Sequence, residues 1–246
     1  MGSRVLCIVQ ARMGSTRLPG KVLKPILGKT FFGIQLERML ACKPIDQIVV
    51  ATTTHERDLP ILALAEKMGL SSFCGSEDNV LERFYETSQT HPAEVIVRCT
   101  SDCPVIDPIV MDKVVRKFLE GGWDYVSNTL KRSFPIGMDI EVFSRASLVL
   151  AQQKALLPLE REHVTPYIYR NPQSFKMEQV VYHEDQAKHR LTLDTQEDLE
   201  FLTRIISALY PKNPLFTLEN ILDLLKKHPD WARLNAHVEQ KSLECE

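Results

Sequence analysis

The sequence has no charge excess of either sign, no long apolar run and no cysteine framework. Lys and Arg number 30 against 32 Asp and Glu, a formal charge of -2, so no global basic field exists to hold nucleic acid or an anionic membrane. No apolar run approaches the ~20 residues of a membrane span, and the first, around Val5 to Val9, is too short for a signal peptide. A cytoplasmic protein without membrane or nucleic-acid partners is therefore expected. The six cysteines, Cys7, Cys42, Cys74, Cys99, Cys103 and Cys245, lack the density and spacing of a disulfide scaffold. Cys99 and Cys103 are not followed by a second ligand pair at zinc-like spacing, so buried thiols are the better reading. Repeats, low-complexity tracts and a convincing interdomain linker are also missing. With 44% hydrophobic and 25% charged residues, the composition excludes extensive disorder and suits one α/β domain.

What is present is an alternation. VLCIVQ is almost continuously apolar, as a parallel strand covered on both faces should be. Residues 48–53 and 94–99 read the same way. Helical patterns cover 30–42, 59–68, 80–90 and 109–119, with Gly69 placed to close the second. This βαβαβ rhythm predicts a doubly wound, mostly parallel sheet with its ligands at the carboxyl ends of the strands. After Trp123 the pattern changes to short strand-like pieces (WDYVSNTL, GMDIEVF, FKMEQVVYH) and helices over 147–156 and 163–169. A short strand, RLTL, then runs into a helix through Leu199, Leu202 and Ile206. Thr195 is placed to cap that helix with Asp198 three residues on. Another amphipathic helix covers 216–227. The organisation expected is one domain with an inserted lobe at about 129–185 and a C-terminal helical tail at about 214–246.

The segment VQARMGSTRLPGK follows the first strand directly. Arg12, Arg17 and Lys21 fall within ten residues, spaced by Gly14, Ser15 and Gly20. Glycines let the backbone approach phosphate oxygens, and the cations neutralise them, so the pattern suits a polyphosphate better than a solvated basic turn. It fits neither a Walker loop nor a dinucleotide GxGxxG. In RCTSDCPVIDP, Asp102 lies just past an apolar strand. A carboxylate there suits Mg²⁺, which takes oxygen ligands, although a turn-capping aspartate is an equal reading on the residues alone. Asp107, ahead of Pro108, reads as a helix N-cap. Asp194 ends RLTL and is spared capping by Thr195.

These strings resemble the cytidylyltransferase family of CMP-ketodeoxyoctonate and CMP-sialic acid synthetases, and within it the SpsF branch of spore coat polysaccharide biosynthesis. The similarity runs from QARMGSTRLPGK through CTSDCPVIDP and REHVTPYIY to RLTLDTQEDLEFL. It implies the nucleotide-diphospho-sugar transferase fold, with a nucleotidyl group passing from CTP or another NTP to a sugar or sugar acid. By that resemblance Arg12, Ser15, Arg17 and Lys21 hold the triphosphate, with Gln10, Ala11 and Gly14 beside them in the nucleotide site. Asp102 and Asp194 become a Mg²⁺ pair, and Lys21, Arg17, Asp102 and Asp194 the catalytic set. The segment GSEDNVLERFYE lies where the family reads base or ribose, which makes Asn79 and Arg83 candidates; a surface Arg83 paired with Glu82 or Glu86 is the plainer alternative. Arg98 and Thr100 flank the metal loop and are nucleotide candidates as well.

For the acceptor, Asp139 and Glu141 are two apart on an expected strand and would share a face. An acidic acceptor needs a cation, and Arg132, Arg161 and His163 are the nearest, the arginines preferred for their planar fork. A homodimer is left open. The HERD sequence at His55 is not a zinc motif, and Trp123 and Trp231 read as packing residues. Two rival functions are weighed: a glycosyltransferase of the same fold, which usually carries paired acids where this chain has only Asp102, and a non-catalytic nucleotide-binding protein.

Overall fold

The computed structural model describes residues 3–240; Cys245 and the last residues of the expected tail lie outside them. Among the described residues nine strands are formed: β1 (Val5–Gln10), β2 (Pro25–Ile26), β3 (Lys29–Thr30), β4 (Gln47–Thr53), β5 (Ser71–Gly75), β6 (Val95–Thr100), β7 (Tyr125–Ser127), β8 (Glu141–Ser144) and β9 (Met177–Gln179). The helices are α1 (Phe31–Met39), α2 (Leu59–Lys67), α3 (Val80–Thr90), α4 (Pro108–Leu119), α5 (Arg145–Lys154), α6 (Pro158–His163), α7 (Pro166–Tyr169), α8 (Gln196–Leu209) and α9 (Leu218–Lys227). Seven strands make one sheet in the order β5-β4-β1-β6-β8-β7-β9, and β2 pairs only with β3. All pairings in the large sheet are parallel except the two made by β8. The mostly parallel α/β architecture is as expected.

The apolar strands are buried on both faces because helices cover both. Cys7 and Val9 of β1 pack with α1, α4, α8 and α9, whereas Leu6 and Ile8 pack with α3, α5 and α7. After β1 the chain adds β4 and β5 on one side, then crosses to place β6 on the other. The carboxyl ends of β1 and β6 therefore flank a topological switch point, where an open α/β sheet has its crevice.

Helix ends follow local chemistry. Thr30, Asn79, Asp107, Ser144, Thr195 and Thr217 each accept a first-turn N–H through the side chain. Thr195 and Asp198 form the reciprocal capping box. Gly69 has φ +69, the left-handed conformation that ends α2.

Four expectations change. β5 was not anticipated, because SSFCG alternates half-buried with exposed residues at a sheet edge and offers no apolar run. The helix expected over 163–169 is two, α6 and α7, separated at Val164 (φ +71) ahead of Pro166. RLTL forms no ladder; only Arg190 bridges, to Ile136. β8 starts at Glu141, so Asp139 precedes the strand and the two acids do not share its face. The region 129–185 also contributes β8 and β9 to the main sheet. Among the described residues no helix is long and apolar enough to cross a membrane.

Candidate active site

A cavity of about 490 Å³ opens at the switch point. One wall is the segment after β1. Ala11 continues the strand by donating to Ala51 O at 3.0 Å. Met13 N–H is then captured by the Asp58 carboxylate at 2.7 Å, whose other oxygen accepts from the Thr53 hydroxyl. Gly20, at φ +64, turns the chain into a 3-10 turn at Lys21. This path brings Gln10, Ala11, Arg12, Gly14, Ser15, Arg17 and Lys21 to the cavity lining together. Asp58, part of the HERD string, is a buried loop anchor rather than a ligand, and its role was missed.

The far wall carries the two aspartates. Lys21 Nζ lies 2.9 Å from Asp102 Oδ2 and 2.6 Å from Asp194 Oδ1, so residues 81 and 173 positions away converge on one ammonium. Arg17 stands 3.1 Å from Asp194 Oδ2. The Thr100 hydroxyl donates to Asp102 Oδ1 at 2.6 Å. Burial by itself disfavours the Lys21 ammonium, but the two carboxylates outweigh it and raise its pKa above the ordinary 10.5. Burial likewise pushes the Asp102 carboxyl up, and the Lys21 charge with the Thr100 and Lys21 hydrogen bonds bring it down to about 2. Both groups are held charged.

Supports for this pair were not visible in the sequence. Leu193 N–H and the Thr192 hydroxyl donate to Asp102 O at 2.8 and 3.1 Å, tying the two aspartate segments together. Gln35, fully buried on α1, donates to Thr100 O at 2.6 Å and accepts from Cys103 N at 3.0 Å. Arg190 donates to Asp194 Oδ2 at 2.6 Å and to Asp198 at 3.0 Å. Asn235 closes the cluster on Asp198 at 2.8 Å.

The base and acceptor candidates divide. Arg83 lines the cavity and is 1% exposed, so the surface-pair alternative does not hold. It donates to Ser76 O at 2.6 Å, while its buried Nε has no partner among the described residues. Burial lowers its pKa to about 10. Asn79 is not brought to the cavity; its side chain caps α3 through Glu82 N at 3.1 Å. Arg98, Thr100, Asp139 and His163 line the cavity, as do the unanticipated Ile136, Gly137, Glu162, Thr192 and Gln240.

Arg132, Glu141 and Arg161 do not line it. Arg132 is spent in a bidentate pair with Asp139 at 2.7 and 3.0 Å, and Arg161 donates to Gln152 at 2.8 Å. Glu141 is buried between the Arg98 guanidinium, the Tyr125 hydroxyl at 2.7 Å and the Thr165 hydroxyl at 2.5 Å. The structure does not bring these three acceptor candidates to the cavity lining, and each side chain is engaged by protein partners.

This constellation can grip a polyphosphate on one wall and a hard cation on the other. A family model described as Cytidylyltransferase matches residues 6–241. The chain belongs to the cytidylyltransferase family. It is 35% identical over 238 residues to the spore coat polysaccharide biosynthesis protein SpsF of Bacillus subtilis, covering 93% of this chain and 96% of that one. A cytidylyltransferase structure from Leptospira borgpetersenii superposes with TM-score 0.90 at 35% identity, covering 98% of this chain and 99% of that one. CMP:2-keto-3-deoxy-manno-octonic acid synthetase in complex with CTP shares the fold, with TM-score 0.64 at 18% identity over 84% of this chain and 99% of that one. As a cytidylyltransferase the chain is a nucleotidyltransferase enzyme, and the glycosyltransferase and non-catalytic alternatives fall away.

Proposed function

We propose that this cytidylyltransferase transfers CMP from CTP to a hydroxyl of a sugar or sugar acid, releasing pyrophosphate, in the cytoplasm and for surface polysaccharide synthesis. The observation that carries the reading is the convergence of Lys21 with Asp102 and Asp194 in the cavity that Arg12 and Ser15 also line. The SpsF relative supports the pathway, and the CTP complex of the synthetase with the same fold supports the nucleotide.

The donor set fits Mg²⁺. Two carboxylates and the Thr100 hydroxyl offer only hard oxygens, and the Lys21 ammonium between them shows that the position favours a cation. Mg²⁺ keeps several waters and takes phosphate oxygens as ligands, so one or two protein carboxylates suffice to place it. Asp102 and Asp194 would hold it. When bound, the ion supplies polarisation of the phosphate and a lowered pKa for the attacking hydroxyl.

In the reaction the acceptor oxygen bonds to the α-phosphorus, the bond from that phosphorus to the bridging oxygen breaks with its electron pair leaving on pyrophosphate, and the hydroxyl proton passes to solvent water. Lys21 and Arg17 exchange their carboxylate partners for the β- and γ-phosphates and offset the charge that builds on pyrophosphate. Ser15 and the Gly14 backbone position the chain of phosphates. Arg83, which lines the same cavity, reads the base or ribose.

The test is pyrophosphate release over the four common NTPs and a panel of acceptors with Mg²⁺. Release that is CTP-selective and acceptor-dependent is expected, and Arg83→Met should reduce the preference for CTP over UTP. Release without an acceptor, or from every NTP alike, would refute the assignment.

A further inference from the structure

Arg190 carries a buried charge that the reaction described above does not use. Its side chain is 4% exposed and stands among carboxylates. Nη2 donates to Asp194 Oδ2 at 2.6 Å, and Nε donates to Asp198 Oδ1 and Oδ2 at 3.0 and 3.2 Å. Asp198 is fully buried and also accepts from the N–H groups of Asp194 and Thr195 at 3.0 and 3.1 Å. The acid of the α8 capping box therefore fixes the backbone of Asp194 directly and its side chain through Arg190.

The segment after α9 holds this arginine from the other side. It returns to α8 with Trp231 stacked on His228 and beneath the Arg204 guanidinium. Asn235, buried, donates to Arg190 O at 3.0 Å and to Asp198 Oδ1 at 2.8 Å. Gln240 Oε1 accepts from Arg190 Nη1 at 2.5 Å, so all three guanidinium nitrogens have partners. Arg17 also reaches Asp194 Oδ2, at 3.1 Å, but it is 31% exposed and comes from the phosphate loop, so it is able to leave. Arg190 is not.

The two oxygens of Asp194 are thereby made unequal. Oδ2 is committed to Arg190, while Oδ1 faces the Lys21 ammonium at 2.6 Å. We infer that Arg190, held by Asn235 and Gln240 of the C-terminal segment, is a positioning residue that makes Asp194 offer the single oxygen Oδ1 to a divalent cation and so favours Mg²⁺ over Ca²⁺. This rests on the nucleotidyltransfer and the Mg²⁺ pair proposed above. Mg²⁺ demands near-ideal octahedral geometry, whereas Ca²⁺ takes six to eight oxygens and often both from one carboxylate. A carboxylate with one oxygen tied down withholds that second ligand. The planar fork of arginine suits the task, because it spans two carboxylates at once where a lysine is a point charge. Asp198 offsets the Arg190 charge, so Asp194 keeps its own charge for the cation.

The experiment titrates Mn²⁺ into the full chain in the presence of a non-hydrolysable CTP analogue, follows binding by water proton relaxation, and displaces the bound Mn²⁺ with Mg²⁺ or Ca²⁺. Arg190→Lys keeps the charge and loses the fork. Its Mn²⁺ affinity should fall by about tenfold to a hundredfold, the scale of losing an outer-shell partner of a ligand. The ratio of Mg²⁺ to Ca²⁺ affinity should shift toward Ca²⁺ by about tenfold, a change that loss of packing alone would not produce. Gln240→Ala lies at an exposed position and leaves the buried cluster in place. It should give the same two shifts at about threefold, the scale of one hydrogen bond, and add nothing further in Arg190→Lys, as expected when one residue acts through the other. Unchanged Mn²⁺ affinity and an unchanged Mg²⁺ to Ca²⁺ ratio in Arg190→Lys would overturn the inference alone, and where Arg190→Lys does not fold the same result in Gln240→Ala does so. Wild type that binds no Mn²⁺ with the analogue, or an Asp102→Asn variant that binds it as wild type does, would instead bring down the metal pair and the nucleotidyltransfer reading beneath it.

Discussion

Gly137→Ala tests the link between fold and site most directly. Gly137 lies at φ +98, and a Cβ there would stand 2.5 Å from Leu191 C, 2.6 Å from Leu191 O and 2.8 Å from Thr192 N. All three are backbone atoms, so no side chain can swing away. The contact is held by Ile136 N–H to His189 O at 3.0 Å and Leu191 N–H to Ile136 O at 2.6 Å. Backbone strain at the left-handed position and overpacking together cost about 3–5 kcal/mol. For a chain of this size that is a fall in Tm of about 6–20 °C. Relief requires the 190–194 segment to move, and Asp194 moves with it, away from Lys21 and from the Asp102 loop that Leu193 joins. Turnover should therefore fall about a hundredfold, the scale of a 1 Å misplacement, even at temperatures where the variant is folded. Gly122→Ala is the control: its φ is +85 with nothing within 4 Å, so it carries strain without the clash. It should lose about 2–4 °C and no activity. Calorimetric melting and pyrophosphate release measure both quantities. Equal melting losses in the two variants, or full turnover in Gly137→Ala, would refute the reasoning.

Asp102→Asn and Asp194→Asn should each lower turnover by at least about a hundredfold, and isothermal titration should show weakened Mg²⁺–CTP binding; near wild-type turnover of Asp194→Asn at saturating Mg²⁺ would remove it from the metal pair. A pH series probes the ion cluster. Asp102 is depressed by Lys21, so its stabilisation is complete above its unfolded pKa and is lost as pH falls through about 2. Lys21 is raised, so its share is complete below 10.5 and is lost as pH rises through the higher folded value. The Tm gap between wild type and Lys21→Met should therefore be widest near pH 7 and narrow below about pH 4; a gap constant from pH 7 to pH 3 would contradict the coupling.

The parts of the fold legible beforehand were those where one physical signal dominates. β1 and β6 are buried on both faces and read as apolar runs, and Thr195 with Asp198 announced its own cap. β5 carried no such signal, because an edge strand buries one side of a twisted sheet incompletely and SSFCG shows only weak alternation. The α6–α7 break depends on a positive φ at Val164, a non-glycine residue that tertiary packing imposes and sequence does not advertise. In the site, the loop from Arg12 to Lys21 was legible because its density of cations and glycines has few structural uses. Arg190 and Asp58 were not, since each acts only after distant segments have met.

The acceptor half shows why spacing misleads where burial decides. Arg132 and Asp139 satisfy each other bidentately, so two residues that suggested a carboxylate clamp and a sugar contact become a neutral pair, with only Asp139 reaching the cavity. Glu141 looked like a partner for sugar hydroxyls because it lies two residues further on. The strand begins at Glu141 itself, and β7 supplies Tyr125 on one side while β6 supplies Arg98 on the other. A carboxylate with three donors is satisfied within the protein and has no need of a ligand. Two of the partners of Glu141 are thus set by the pairing of β8 with β6 and β7, and β6 is separated from β8 by 40 residues of chain from Thr100 to Glu141, a relation that only the closed sheet expresses.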